Sequence, residues 1–188
     1  MTLIEAGGSS FEAELFVFDK DGLLFESRRF WIALAEARAK AFASYEEADV
    51  ICAWLKMMGV ACRSRQEDIC VTGVDPCGIH ALASPEEEIT VTAGFLCEHA
   101  RMHWTEARDM AGRIFQTADR ELPLEKALCP RKGFPRIFRR LRAAGIPYGI
   151  ATSDTCERAE KSIRMFDDFS RLSFVVTPAD VSRGKPDP

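Results

Sequence analysis

The sequence predicts an α/β protein in which a parallel sheet, flanked by helices, takes strands from both ends of the chain and a mainly helical domain is inserted between them. Three observations support that class. Residues 12–18, E-A-E-L-F-V-F, end in a continuous apolar run that stops at Asp19. Continuous rather than alternating apolarity suits a strand buried on both faces of a parallel sheet. Beyond residue 130, helix-like and strand-like segments alternate, which is the texture of parallel β–α units. The stretch between is dominated by helical spacing, and joining the outer stretches into one sheet is the simplest assembly. The expected boundaries are 1–26 with 130–188 for the core and 27–129 for the insert.

After the first strand, residues 27–43 predict a helix, with Phe30, Trp31, Leu34, Ala41 and Phe42 mostly on one side. Residues 45–58 predict a second, on Val50, Ile51, Trp54, Leu55 and Met58, and Gly59 stands where a glycine commonly ends a helix. Residues 60–83 read as loop with a short strand pair, because Gly73, Asp75-Pro76 and Gly78 interrupt short apolar pieces. Ser84-Pro85-Glu86-Glu87 is a helix start: serine as N-cap, proline at N1, glutamate at N3. Helical spacing then runs to about residue 120, with a break expected near 98–104 because one uncapped helix of that length is unusual. Pro123, Pro130 and Gly133 mark a linker. A helix stripe follows on Phe134, Ile137, Phe138 and Leu141, ended by Gly145. A strand over 147–151, a helix over 155–166 and a strand over 173–177 complete the chain. The three tryptophans fall on apolar stripes and predict core positions.

Composition narrows the function. The 188 residues are 47% hydrophobic and 29% charged, a globular balance. With 25 basic against 29 acidic residues the formal charge is −4, which argues against a general nucleic-acid binder. No apolar run approaches the roughly 18–20 residues that cross a bilayer. The start M-T-L-I-E-A-G-G has no basic segment followed by an apolar one, so no secretory signal is expected. The seven cysteines are odd in number, widely spaced and without C-x-x-C. Reduced thiols in a cytoplasmic protein are expected, rather than a disulfide framework or zinc cluster. The oligomeric state is left open by the sequence.

The chemistry concentrates at F-V-F-D-K-D-G-L-L, residues 16–24. Asp19 and Asp21 follow a strand directly, and ligands of open α/β sheets bind at the carboxyl ends of strands. One carboxylate there can attack an electrophile or hold a metal while the other moves a proton. Gly22 allows a sharp turn and brings a backbone N–H toward a ligand. Asp and Gly are also common turn residues, so the motif has a purely conformational reading too. I-A-T-S-D, 150–154, puts Thr152 at a second strand end, where its hydroxyl and N–H could hold a phosphoryl oxygen. Ser153 and Asp154 are equally candidates for a helix N-cap, and a helix N-terminus attracts anions. Lys185, in G-K-P-D-P, follows the third strand and would bring a cation to the same place.

In this order, D-K-D-G-L-L, A-T-S-D and R-G-K-P-D-P resemble the three motifs of the haloacid-dehalogenase (HAD) superfamily of phosphohydrolases over residues 11–26 and 130–188. The resemblance implies a Rossmann-like, three-layer HAD core with residues 27–129 as an inserted helical cap. It implies Asp19 as nucleophile, forming an aspartyl-phosphate, and Asp21 as the acid that protonates the leaving oxygen and then activates water. Asp19 and the Asp21 carbonyl would hold Mg²⁺, a cation suited to hard oxygen ligands and retained waters. Gly22, Thr152, Ser153 and Lys185 would hold the phosphate of a small phosphorylated metabolite. Asp21 favours phosphate chemistry over dehalogenation, whose halide leaving group needs no proton. A helical insert after D-K-D-G looks most like phosphoglycolate-phosphatase-type members. Two alternatives stand beside hydrolysis: a sugar-phosphate mutase of the same superfamily, and a non-catalytic binding module on the same fold. The latter has one support. The fourth family motif, an acidic pair that completes the Mg²⁺ site, does not occur before Pro188, so a truncated chain with weak Mg²⁺ binding is expected.

Other signals are weaker. His99 and His103 are four apart, but no third ligand matches them, and surface histidines are expected. Arg131, Lys132, Arg136, Arg139, Arg140 and Arg142 read as a solvated face in an acidic protein, as do Arg28 and Arg29. Asp167-Asp168 reads as a turn, and Cys156 as a packing residue near a helix start.

Overall fold

The computed structural model describes residues 2–65, 68–185 and 187. The chain divides into two compact units, Met1–Glu26 with Cys129–Pro188, and Ser27–Leu128.

The apolar run at the start is shared between two structures. Thr2–Ala6 (β1) and Ser9–Ala13 (β2) pair antiparallel across Gly7-Gly8, and only Phe16–Phe18 (β3) enters the parallel sheet. The expected strand over 12–18 is therefore divided at Glu14-Leu15. Nor is it buried on both faces: Leu15 is 46% and Val17 54% exposed.

The second unit begins with Ser27–Phe42 (α1) and Ala48–Met57 (α2), close to the predicted helices. Residues 60–83 contain the expected strand pair, longer than expected. Val60–Arg65 (β4) and Asp68–Val74 (β5) form an antiparallel pair with a bulge between Ala61 and Cys62, and Ile79–Leu82 (α3) is a single helical turn. Their β-branched residues favour strands, and the interrupting glycine at 73 lies inside β5 rather than ending it. Pro85–His99 (α4) starts with the predicted capping box: the Glu87 N–H donates to the Ser84 hydroxyl, and the Ser84 N–H donates to the Glu87 carboxylate. The chain breaks after His99 as expected, and Trp104–Glu121 (α5) and the short Leu124–Ala127 (α6) follow.

The core of this unit is one apolar cluster. It includes Phe42 from α1, Ile51, Trp54 and Leu55 from α2, Phe95 and Leu96 from α4, and Ile114 and Phe115 from α5. Alanines at 107, 111 and 118 make a small-residue stripe that is fully buried, so neighbouring backbones can approach closely. Trp54 is buried and donates from Nε1 to Thr92 Oγ1 at 3.0 Å. Trp104, in contrast to the core position expected for it, is 47% exposed at the start of α5. Arg38, His80 and Glu88 form a buried polar cluster inside this core.

Cys52 lies on α2, and Cys62, packed against the apolar cluster, on β4. Burial and then Cys52 push the Cys62 thiol up from 9.0 to about 11. The sign follows from which state loses its proton first. Below pH 9 both folded and unfolded chains keep it; above, the unfolded chain ionises first, so stability falls as pH rises toward 11. A thermal unfolding series from pH 8 to 11 is expected to show this loss. Cys62→Ala should make it shallower, and an unchanged slope in that variant contradicts the assignment.

Arg136–Ala143 (α7), Tyr148–Ala151 (β6), Cys156–Arg164 (α8) and Val175–Val176 (β7) complete the first unit, with 3-10 turns at Phe169–Arg171 and Pro178–Asp180. The sheet is parallel, in the order β3-β6-β7, with Phe16 opposite Tyr148 and Ile150 opposite Val175. Tyr148, Gly149 and Ile150 of the central strand are buried. Gly149 is required there, since a Cβ would lie 2.6 Å from the Phe174 ring and carbonyl. Phe138 packs on Tyr148, Phe18 and Phe134, with ring centroids 4.6, 5.3 and 5.1 Å away. Phe25, fully buried against Phe134, anchors the loop that follows β3. No helix among the described residues is long and apolar enough to cross a membrane. All seven cysteines are free thiols.

Candidate active site

The loop after β3 closes on itself. Lys20 O accepts from the N–H groups of Leu24 and Phe25, and Gly22 N–H donates to Phe25 O at 2.8 Å. Gly22 has φ +89°, a conformation that a side chain would strain. Its N–H is thus spent inside the turn and is not presented to a ligand, contrary to expectation. Its carbonyl accepts from Arg131 Nε at 3.2 Å.

Asp19 and Lys185 meet across 166 residues of sequence: Lys185 Nζ lies 2.8 Å from Asp19 Oδ1 and 2.7 Å from the Ala151 carbonyl. That carbonyl immediately precedes Thr152, so the ends of β3 and β6 and the segment after β7 converge. Asp19 Oδ1 also accepts the Lys20 N–H at 2.9 Å. Both bonds fall on Oδ1; among the described residues, none is made by Oδ2. Pro186 and Pro188 of the third motif lie outside the described residues.

Thr152 is buried. Its N–H donates to Val176 O in the sheet, and its hydroxyl accepts the Asp154 N–H at 3.1 Å. The main-chain N–H is therefore unavailable for a phosphoryl oxygen, and only the hydroxyl can reach one. Ser153 is half-buried between them. The N-cap of α8 is neither Ser153 nor Asp154 but Thr155, whose hydroxyl accepts from the Arg158 N–H.

Asp21 is tied to this second loop by a residue that sequence reasoning passed over. Lys20 is fully buried, and its Nζ lies 2.7 Å from Asp21 Oδ1 and 2.9 Å from Asp154 Oδ2. Asp154 is held in turn by Arg158 Nε at 2.8 Å and by the Thr155 N–H. Burial pulls Lys20 toward neutrality, but Asp154 and Asp21 outweigh it and leave the ammonium above its usual range. Burial likewise raises Asp154, and Lys20 and Arg158 overcome it, holding that carboxyl below the usual range. For Asp21 burial wins: the carboxyl is raised, with Lys20 opposing and Asp154 and Asp19 adding to the rise. The loop thus carries two aspartates of different character, one open and one partly buried with a raised proton affinity.

A family model of haloacid dehalogenase-like hydrolases matches residues 13–188. The chain belongs to that family. Solved structures of the same fold include a predicted phosphoglycolate phosphatase from Haemophilus somnus 129PT, with TM-score 0.59 and 14% identity, covering 92% of this chain and 66% of that one. Another is CbbY from Rhodobacter sphaeroides in complex with phosphate, with TM-score 0.53 and 17% identity, covering 92% and 67%. This HAD-like chain therefore spans about two thirds of the length of those structures. A comparison with curated protein sequences found no match.

Among the described residues, no three His, Cys, Asp or Glu side chains cluster as metal ligands. His99 stacks on Phe95, with centroids 4.0 Å apart, and His103 precedes α5. At the HAD-like site the available donors are all oxygens. The Asp21 and Asp154 carboxylates are engaged by Lys20, which leaves Asp19 Oδ2 and the Asp21 main-chain carbonyl. Such hard donors fit a small divalent cation that keeps most of its waters.

Proposed function

We propose that this protein hydrolyses a phosphate monoester of a small metabolite through an aspartyl-phosphate on Asp19. The reading rests on the convergence of Asp19, Lys185 and the Ala151-Thr152 strand end within 2.8 Å contacts. One oxygen of the Asp19 carboxylate attacks phosphorus and the P–O ester bond breaks. The leaving oxygen takes its proton from Asp21, whose raised proton affinity suits an acid. Water then attacks the acyl phosphate and gives its proton to the Asp21 carboxylate; inorganic phosphate leaves and Asp19 is restored. Lys185 and the hydroxyls of Thr152 and Ser153 balance charge on the phosphoryl oxygens, while Gly22 shapes the turn that holds the two aspartates. Mg²⁺, held by Asp19 and the Asp21 carbonyl, would neutralise phosphoryl charge. Residues 27–129 would act as the cap that selects substrate. Seven free thiols fit a reducing compartment such as the cytoplasm.

The test is release of inorganic phosphate from p-nitrophenyl phosphate and from a panel of phosphorylated metabolites. Turnover should need Mg²⁺, stop with EDTA and return on re-addition. Turnover indifferent to EDTA overturns the metal assignment. Isomerisation of a hexose phosphate without phosphate release replaces hydrolysis with a mutase reaction.

A further inference from the structure

We propose that Lys20 is a positioning residue for Asp21, clamping the proposed proton donor to the second phosphate-binding loop through Asp154. The inference rests on the phosphohydrolase reading and deepens it. A lysine between two aspartates would ordinarily extend into solvent, yet Lys20 is fully buried. Its Nζ bonds Asp21 on its own loop and Asp154 beyond β6. The 2.7 Å charge-assisted hydrogen bond fixes Asp21 in direction as well as distance, and the 2.9 Å ion pair holds Asp154 against the same ammonium. Asp154 is itself fixed on three sides, by Arg158 Nε, by the Thr155 N–H and by its own N–H on Thr152 Oγ1. The chain Asp21–Lys20–Asp154–Thr152 thus sets the proton donor against the hydroxyl proposed to hold the phosphoryl group. Asp19 stands outside it, bound to Lys185 instead. Loss of the Lys20 ammonium should therefore displace the acid and spare the nucleophile.

Leaving-group dependence separates these two effects. An alkyl phosphate needs a proton on departure; 2,4-dinitrophenyl phosphate does not. In the full chain, Lys20→Met should lower kcat/KM, which reports the step that expels the leaving group, by about 10²-fold or more for an alkyl phosphate and by no more than about tenfold for the dinitrophenyl ester. Lys20→Arg, which keeps the cation, should recover part of the alkyl ester rate. If Lys20→Met does not fold, Lys20→Met/Asp154→Asn removes one charge of each sign and should give the same contrast. Equal losses of kcat/KM on both esters in a folded variant overturn the positioning role, since a distorted nucleophile would produce them. If the unaltered protein cleaves neither ester, the hydrolase reading itself falls and this assignment with it. Turnover that Asp19→Asn stops but Lys20→Met cuts equally for both esters overturns the assignment alone.

Discussion

Asp19→Asn is expected to lower kcat/KM for phosphate ester hydrolysis by about 10⁴-fold or more, equivalent to roughly 5 kcal/mol of lost transition-state stabilisation. The amide nitrogen replaces one carboxylate oxygen and removes the negative charge from both. An amide is a poor nucleophile toward phosphorus, and no described residue stands ready to replace it: Asp21 and Asp154 are both held by Lys20. The substitution should be structurally mild. Asp19 is about half exposed, and its Oδ1 receives the Lys20 N–H and the Lys185 ammonium, bonds that an amide oxygen can still accept. The thermal midpoint should therefore move little while turnover disappears. Retention of more than about a tenth of the activity in a correctly folded variant would reject Asp19 as the nucleophile.

The loop that carries Asp19 was legible because its constraints are local. An apolar strand ending in two acids and a glycine has few ways to fold, and Gly22 takes the positive φ that the turn demands. The start of α4 was legible for the same reason: Ser84, Pro85 and Glu87 satisfy one another within four residues. What stayed hidden depends on distant partners. Lys20 is polar in any composition count, and only Asp154, 134 positions further along in sequence (154 − 20) and 2.9 Å away, explains its burial. The division of residues 12–18 between a hairpin and the sheet depends on pairing with β1 and β6, which local apolarity does not encode. The strand pair expected within 60–83 is present as β4 and β5, but its extent was hidden because Gly73 carries a turn signal, whereas the strand is maintained across Gly73 by its register with Ala61. At Thr152 the residue type pointed to a ligand contact, but the ladder bond to Val176 decides which of its groups remains for one.

The second large effect is expected far from this chemistry, in the core of residues 27–128. Glu88→Gln should lower unfolding stability by about 3–5 kcal/mol, the range for breaking a buried ion pair from one side. Arg38 is 1% and Glu88 3% exposed, and Arg38 Nη1 is bonded to Glu88 Oε1. His80 completes the cluster: its Nδ1 lies 3.0 Å from Glu88 Oε1 and 2.9 Å from Arg38 Nη1, and its Nε2 donates to the Trp31 carbonyl at 2.9 Å. The guanidinium also lies over the Phe115 ring, 4.2 Å from its centroid. Glutamine keeps the shape and one acceptor but removes the only carboxylate that this cluster presents to Arg38 among the described residues. A cation is then left in an apolar core without its counter-charge, which costs more than the pair contributes when whole. Replacing both partners tests that asymmetry. Arg38→Met/Glu88→Met should lose much less stability than Glu88→Gln alone, because no charge remains to be desolvated. Urea unfolding of the single and double variants measures both. A Glu88→Gln variant within about 0.5 kcal/mol of the unaltered protein, the range of an ordinary surface substitution, would show that water reaches Arg38 and that the cluster is not a closed part of the core.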